Sequence, residues 1–216
     1  MKLYYYPGAC SLAAHIVLRE AGYDFELDQV DLASKTTASG EDYRQVNPKG
    51  YVPALRLDDG QVLTEDAVIL QYLADLNPAA HLAPAAGGLE CYRELEWLNF
   101  IATEIHKTLG VLFNPRITPE WKEQQIALFG RRAAWLSRQL GDRPYLMGEN
   151  YSIADAYLFT VLGWCRHFDI DLGPWPNLSA YMARIAARPA VQAAMEAEGL
   201  VPPHTPVARG SEPTRG

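Results

Sequence analysis

Residues 2–22 read KLYYYPGACSLAAHIVLREAG. Lys2 to Tyr6 alternates and carries aromatic side chains, as a short strand does, and Pro7-Gly8 breaks it. From Ser11 the pattern changes period. Leu12, Ile16 and Val17 fall on one helical face, and Gly22 stops the helix. Strand, turn and helix in 21 residues, with a cysteine at the helix start, set the question for the rest of the chain.

Further along, 25–32 reads as a second strand and 35–40 as a polar loop. A short helix fits 41–46, ended by Asn47-Pro48. Two short strands at 54–57 and 61–63 flank Asp59-Gly60, a hairpin dipeptide. Thr64 or Asp66 can cap a helix that ends near Asn77-Pro78. The order β-α-β-α-β-β-α predicts a parallel pair with a crossover helix, extended by an antiparallel hairpin. Residues 78–88, PAAHLAPAAGG, read as a linker.

Helices are expected over 89–113, 119–140, 152–168, 177–187 and 189–198, with Ser152 and Asp155 forming a capping box. The predicted organisation is an α/β domain over 1–80, a linker over 81–88 and an all-α helical domain over 89–201. A disordered tail is expected over 202–216.

Composition bounds the chemistry. Of 216 residues, 49% are hydrophobic and 21% charged, so a packed core is expected rather than global disorder. The net charge of −7 argues against nucleic-acid and anionic-membrane partners. The N-terminus shows no basic stretch followed by a long apolar one, so no secretory leader is expected. Three widely spaced cysteines, Cys10, Cys91 and Cys165, do not suggest a disulfide framework. A reducing, cytoplasmic setting is the expectation. No Walker loop, dinucleotide fingerprint or zinc-type cluster appears, and no metal is expected.

Cys10 precedes the first helical turn, where free amides favour negative charge and would lower a thiol pKa. Position 13 is alanine, which removes a local dithiol. Position alone leaves open a buried inert cysteine or a thiol that meets an external sulfur. Cys91 and Cys165 lie in helical patterns and read as packing residues, as does His15. Val52-Pro53 is a candidate cis peptide, although a trans turn is the commoner form. Glu65 and Asp66 open a helix, either as capping residues or as a site for an amino-acid-like ligand. Asn99, Thr103 and His106 form a polar stripe on one helix face. A solvated face is the simpler account of it.

Five segments in order carry a resemblance: YYPGACSLAAHIVLREAG (5–22), VNPKGYVPAL (46–55), LTEDAVILQYLAD (63–75), EWLNFIATEIHK (96–107) and YSIADAYLFTVLGW (151–164). Over residues 1–201 the chain resembles cytosolic glutathione transferases, most closely the bacterial beta class. The resemblance implies a thioredoxin-like N-terminal domain, an all-α C-terminal domain and a homodimer. It implies glutathione as co-substrate and conjugation of its thiolate to small hydrophobic electrophiles, in detoxification.

By the same resemblance Cys10 and His106 are the catalytic pair at the glutathione sulfur. Lys35 would meet the glycyl carboxylate, and the Val52 backbone before a cis-Pro53 would pair with the cysteinyl unit. Glu65 and Asp66 would hold the γ-glutamyl end, and Asn99, Thr103, Glu104, Ile105 and His106 would line the cleft, some of them from the partner subunit. Phe113, Trp164 and His167 would face the electrophile. Tyr5 reads as packing. The usual residue at position 66 is Ser or Gly. Asp66 is therefore expected to repel the ligand's carboxylate and weaken binding. Two rival functions remain: a thiol-disulfide oxidoreductase or peroxidase working through a Cys10–glutathione mixed disulfide, and a non-catalytic carrier of hydrophobic ligands.

Overall fold

A computed structural model describes residues 1–202 of the chain. The expected disordered tail thus falls almost wholly outside the described residues. A five-stranded mixed sheet forms the N-terminal half, in the order β3-β2-β1-β4-β5. Strands β1 (Lys2–Tyr5) and β2 (Glu26–Asp31) pair in parallel, Leu3 opposite Leu27, around the crossover helix α1 (Ser11–Glu20). Strand β4 (Ala54–Arg56) runs antiparallel to β1, Leu3 opposite Leu55, and turns at Asp59-Gly60 into β5 (Val62–Thr64). Gly60 takes a φ of 86°, a conformation that favours glycine.

The sequence reading treated 35–40 as loop, yet Thr36–Thr37 forms β3, antiparallel to the end of β2. Two residues are too few to show alternation, so only the pairing partner reveals the strand. Short α2 (Tyr43–Val46) is capped by the Asp42 side chain, which accepts from the Arg44 N–H. Helix α3 (Asp66–Leu76) follows the hairpin.

The second half is helical. The single helix expected over 89–113 is instead α4 (Leu89–Phe100), a π-helical turn (Ile101–His106), α5 (Lys107–Gly110) and a 3₁₀ turn (Val111–Phe113). Two threonines give a physical reason. Thr103 Oγ1 donates to the Asn99 carbonyl at 3.0 Å and Thr108 Oγ1 to that of Glu104 at 2.7 Å. Hydroxyls that bond back to the i−4 carbonyl compete with the backbone ladder and bend it. Widened π turns of this kind are frequent at functional sites.

Helices α6 (Pro119–Leu140), α7 (Ile153–Gly163), α8 (Pro176–Ala186) and α9 (Pro189–Ala197) complete the fold. Proline at the first turn of three of them supplies a preset φ where no N–H is needed. Residues Ile153 to Leu162 of α7 are all buried, as expected of a helix apolar on every side. The 152–168 helix ends early, giving way to a 3₁₀ turn at Trp164–Phe168.

The two halves share one core. Leu3, Ile16 and Ile69 pack in the same cluster as Leu98, Tyr157 and Leu178. Helix α1 lies against α3, α7 and α9, which is why eight of its ten residues are buried. Tyr5, His15 and Cys165 are in the core, as read from the sequence, whereas Cys91 is only half-buried.

A buried carboxylate joins the halves near the opening motif. Glu198 accepts from the Gly8 N–H at 2.9 Å and from His15 Nδ1 at 2.8 Å. Arg19 Nε donates to His15 Nε2 at 2.9 Å, so the imidazole proton sits on Nδ1, toward Glu198. Gly8 takes a φ of 71°, and a Cβ there would come within 3.3 Å of the Leu200 side chain. The loop before Cys10 is thus held from the far end of the chain.

Candidate functional site

The site lies where α1, the β4 approach, α3 and the π turn converge. Cys10 is the N-cap of α1, half-buried, with Sγ 3.2 Å from the Val52 carbonyl, to which its S–H donates. Val52-Pro53 is cis. The Val52 N–H has no protein partner among the described residues, so it is available to pair with an extended ligand.

The charge state of Cys10 corrects the sequence expectation. Burial pushes its thiol well above the ordinary cysteine range, and the neighbouring Asp66 carboxyl adds to the rise. The amides of Cys10 and Ser11 pull the other way and lose. A helix start lowers a thiol pKa only where solvent or a cation helps to carry the charge. Here desolvation and a neighbouring acid outweigh the amides.

Asp66, first residue of α3, is 6% exposed, and neither carboxylate oxygen has a hydrogen-bond partner among the described residues. Burial raises its pKa well above the usual carboxylate range. Burial thus favours the uncharged form of Asp66, which works against the expected repulsion of a bound carboxylate. Asp66→Asn, neutral and of the same shape, should change glutathione affinity less than about twofold at pH 6.5, by calorimetry. A gain of tenfold or more would show that Asp66 repels the ligand's carboxylate. The folded pKa lies above the unfolded one, so the group's contribution to stability is full below pH 4 and lost as pH rises through the folded value. The variant should therefore melt higher than the parent at pH 8.5, with the gap closing toward pH 5.

Glu65, exposed, takes a φ of 71°, a costly backbone conformation for a non-glycine residue of the kind that gathers at ligand sites. Lys49 bridges it, donating to Glu65 Oε1 at 2.5 Å and to Thr64 Oγ1 at 2.8 Å. Lys35, also at positive φ, reaches from the β2–β3 connection to the Gly50 carbonyl at 2.8 Å.

His106 closes the π turn. Its Nδ1 is 2.7 Å from the Tyr157 hydroxyl. Burial, with Lys107 nearby, lowers its pKa to about 4, against a smaller pull from Glu65, so the ring is neutral at pH 7. Phe113, Trp164 and His167 do come together. Phe113 packs edge-on against Trp164 at 5.5 Å and against His167 at 5.7 Å, and Trp164 meets the His106 ring at 4.9 Å. Trp164 Nε1 donates to the Gly8 carbonyl at 2.9 Å, tying the aromatic group to the Cys10 loop.

Other candidates are placed differently. Asn99 and Thr103 are exposed, and Glu104 is ion-paired with Arg132 of α6 at 2.5 Å. Ile105 is fully buried in the core and offers no surface to a ligand. Lys49, Tyr157 and Glu198 were not singled out in the sequence. Lys49 lies inside VNPKGYVPAL and Tyr157 inside YSIADAYLFTVLGW, but no local spacing points from either to its partner. Two hollows of about 330 and 320 Å³ lie elsewhere, between α7 and α8 and beside Arg188, and neither touches Cys10 or His106. No cluster of three or more metal-ligating side chains forms among the described residues.

Comparison with known proteins bears on this geometry. Residues 8–76 match the family model for the glutathione S-transferase N-terminal domain, and residues 100–189 that for the C-terminal domain. Glutathione S-transferase GstA of Escherichia coli is 48% identical over 93% of this chain and all of its own. The chain belongs to the glutathione transferase family. A sphingomonad glutathione S-transferase solved with glutathione superposes with a TM-score of 0.90 at 49% identity, over 93% of this chain and all of that one. A bacterial beta-class enzyme from Sphingomonas chungbukensis does so with a TM-score of 0.90 at 48% identity, over the same shares, and the chain is of that class. The family's thioredoxin-like and helical halves are the two described above.

Proposed function

We propose that this transferase conjugates the thiolate of glutathione to small hydrophobic electrophiles. The observation that carries the reading is the pairing of a neutral His106 with an aromatic group, across from a cysteine held as a thiol. The glutathione sulfur is a weak nucleophile while protonated. A site that stabilises its thiolate raises the reactive fraction near pH 7. Amides at the start of α1 and the neutral His106 ring supply donors for that charge. Phe113, Trp164 and His167 offer the electrophile an apolar wall beside it. The Val52 N–H, Lys35, Glu65 and the free amides opening α3 suit the peptide's backbone and its charged ends.

The mixed-disulfide alternative asks Cys10 to attack as a thiolate. Its raised pKa disfavours that. The test is turnover of an aryl chloride with saturating glutathione, in the parent and in Cys10→Ala. Conjugation is expected in both, with the variant within about tenfold of the parent. Abolished turnover in Cys10→Ala, with a stable glutathione adduct on Cys10 by intact mass, would favour the disulfide route. Tight binding of a large apolar ligand without turnover in either protein would favour the carrier.

The reading includes a homodimer. Leu89, Tyr92 and Leu95 on α4 and Val68 on α3 are exposed, the kind of apolar surface that a second copy covers. Asn99 and Thr103, on the same helical segment, would then serve the glutathione groove across the interface. Sedimentation at the mass of two chains is the expected result; a single chain at micromolar concentration would remove this element. No helix among the described residues is long and apolar enough to cross a membrane. Disposal of reactive electrophiles in the cytoplasm is the role that this chemistry suits.

A further inference from the structure

The ring of His106 is neutral at pH 7, so one nitrogen carries a proton and the other a lone pair. Which is which decides whether the ring gives a hydrogen bond to a ligand or takes one. Nδ1 faces the Tyr157 hydroxyl at 2.7 Å, and Nε2 has no protein partner among the described residues.

Two arrangements satisfy that contact. In the first, the tyrosine O–H donates to a bare Nδ1 and the imidazole proton sits on Nε2. In the second, Nδ1–H donates to the phenol oxygen, and the tyrosine proton must find another acceptor. None is available. Tyr157 is 2% exposed, and among the described residues its hydroxyl makes no other hydrogen bond and the nearby Asp66 oxygens have no partner. A buried hydroxyl proton without an acceptor is an arrangement that folded proteins avoid. Burial also raises the phenol's own pKa, so the hydroxyl keeps its proton to donate. The rings of Tyr157 and Trp164 meet the imidazole edge-on, at 5.8 and 4.9 Å, and hold its plane.

We infer that Tyr157 is a positioning residue whose hydroxyl donates to Nδ1 of His106 and fixes the Nε2–H tautomer, the form that presents a donor to the cleft. A thiolate there accepts a hydrogen bond from Nε2–H and would be repelled by a lone pair. The proton itself does not move: Tyr157 sets where it resides and takes no part in bond making. What sits opposite Nε2 rests on the glutathione reading above. The tautomer does not.

The test uses the full chain labelled with ¹⁵N-histidine. Long-range ¹H–¹⁵N spectra distinguish the tautomers, and the His106 signals are those missing from His106→Ala. The parent should show Nε2–H, and Tyr157→Phe, which keeps the ring, should shift His106 toward a mixture of tautomers. With an aryl chloride, kcat should fall about tenfold in Tyr157→Phe while the KM for glutathione stays within about twofold. In a His106→Ala background the same change should cost nothing further. An Nδ1–H signal in the parent, or His106 spectra identical in Tyr157→Phe, would overturn the inference. So would an equal loss in the His106→Ala background. If the parent turns over no electrophile, the functional reading falls while the spectra still decide the tautomer.

Discussion

Asp155→Ala is expected to lower the stability of the fold by about 4 kcal/mol at pH 7. The carboxylate is fully buried and accepts four hydrogen bonds. Oδ1 takes the Leu146 N–H and the Tyr181 hydroxyl, both at 2.9 Å. Oδ2 takes the Ser152 N–H at 2.8 Å and the Ser152 hydroxyl at 3.3 Å. One side chain thus caps α7, fixes the loop before it and anchors α8. Alanine orphans two buried N–H groups and a buried phenol. Each costs roughly 1–3 kcal/mol, and the sum is reduced by local relaxation. For a chain of this length the melting temperature should fall by about 10 °C. Burial raises the Asp155 pKa to about 6 against the pull of these donors, so at pH 7 the group is an ionised acceptor. A folded pKa above the unfolded value makes the group's contribution greatest below pH 4, and that contribution is lost as pH rises through about 6. The gap between parent and variant should therefore be wider at pH 5 than at pH 8. Thermal melts at the two pH values measure it, and a change under about 1 kcal/mol at both would show that the four bonds are not needed.

Asp155 was legible in the sequence because its first task is local. Ser and Asp three residues apart before an apolar run announce a cap, and both halves of the capping box form. The strand-turn-helix of 2–21 and the Asp59-Gly60 hairpin were legible for the same reason. The second task of Asp155, holding Tyr181 from 26 residues away, has no local signature. The same divide runs through the site. Cys10 and His106 stood out as residue types in motifs. The 42 residues from Cys10 to the Val52 carbonyl, the 51 from His106 to Tyr157 and the 190 from Gly8 to Glu198 are contacts of the folded chain alone. The charge state of Cys10 failed as a sequence expectation on those grounds. The helix start that lowers a thiol pKa is visible in the sequence, and the desolvation that raises it is a property of packing.

His106→Ala should carry the largest effect on activity, a fall of about a hundredfold in kcat/KM toward an aryl chloride. The reasoning turns on the ring's charge. A pKa lowered to about 4 leaves His106 neutral from pH 5 upward, so it stabilises a thiolate as a hydrogen-bond donor and not as a cation. Removing a donor that acts on charge developed at a nucleophile costs about 10²–10³ in related settings. The loss should fall on kcat, because in the function proposed above the peptide is held by Val52, Lys35 and the start of α3, and not by the imidazole. The pH profile gives the sharper test. The parent's activity should rise with the ionisation of bound glutathione, and since His106 does not titrate above pH 5, that limb reports the sulfur alone. Without the donor the bound thiol ionises less readily, and the limb should move to higher pH, so parent and variant draw closer as pH rises. A loss that stayed constant across the profile would mean that His106 shapes the cleft without stabilising the thiolate. His106→Gln, which keeps an N–H near the same place, should recover part of the rate and move the limb back. That recovery ties the effect to a donated hydrogen bond and not to the volume of the ring.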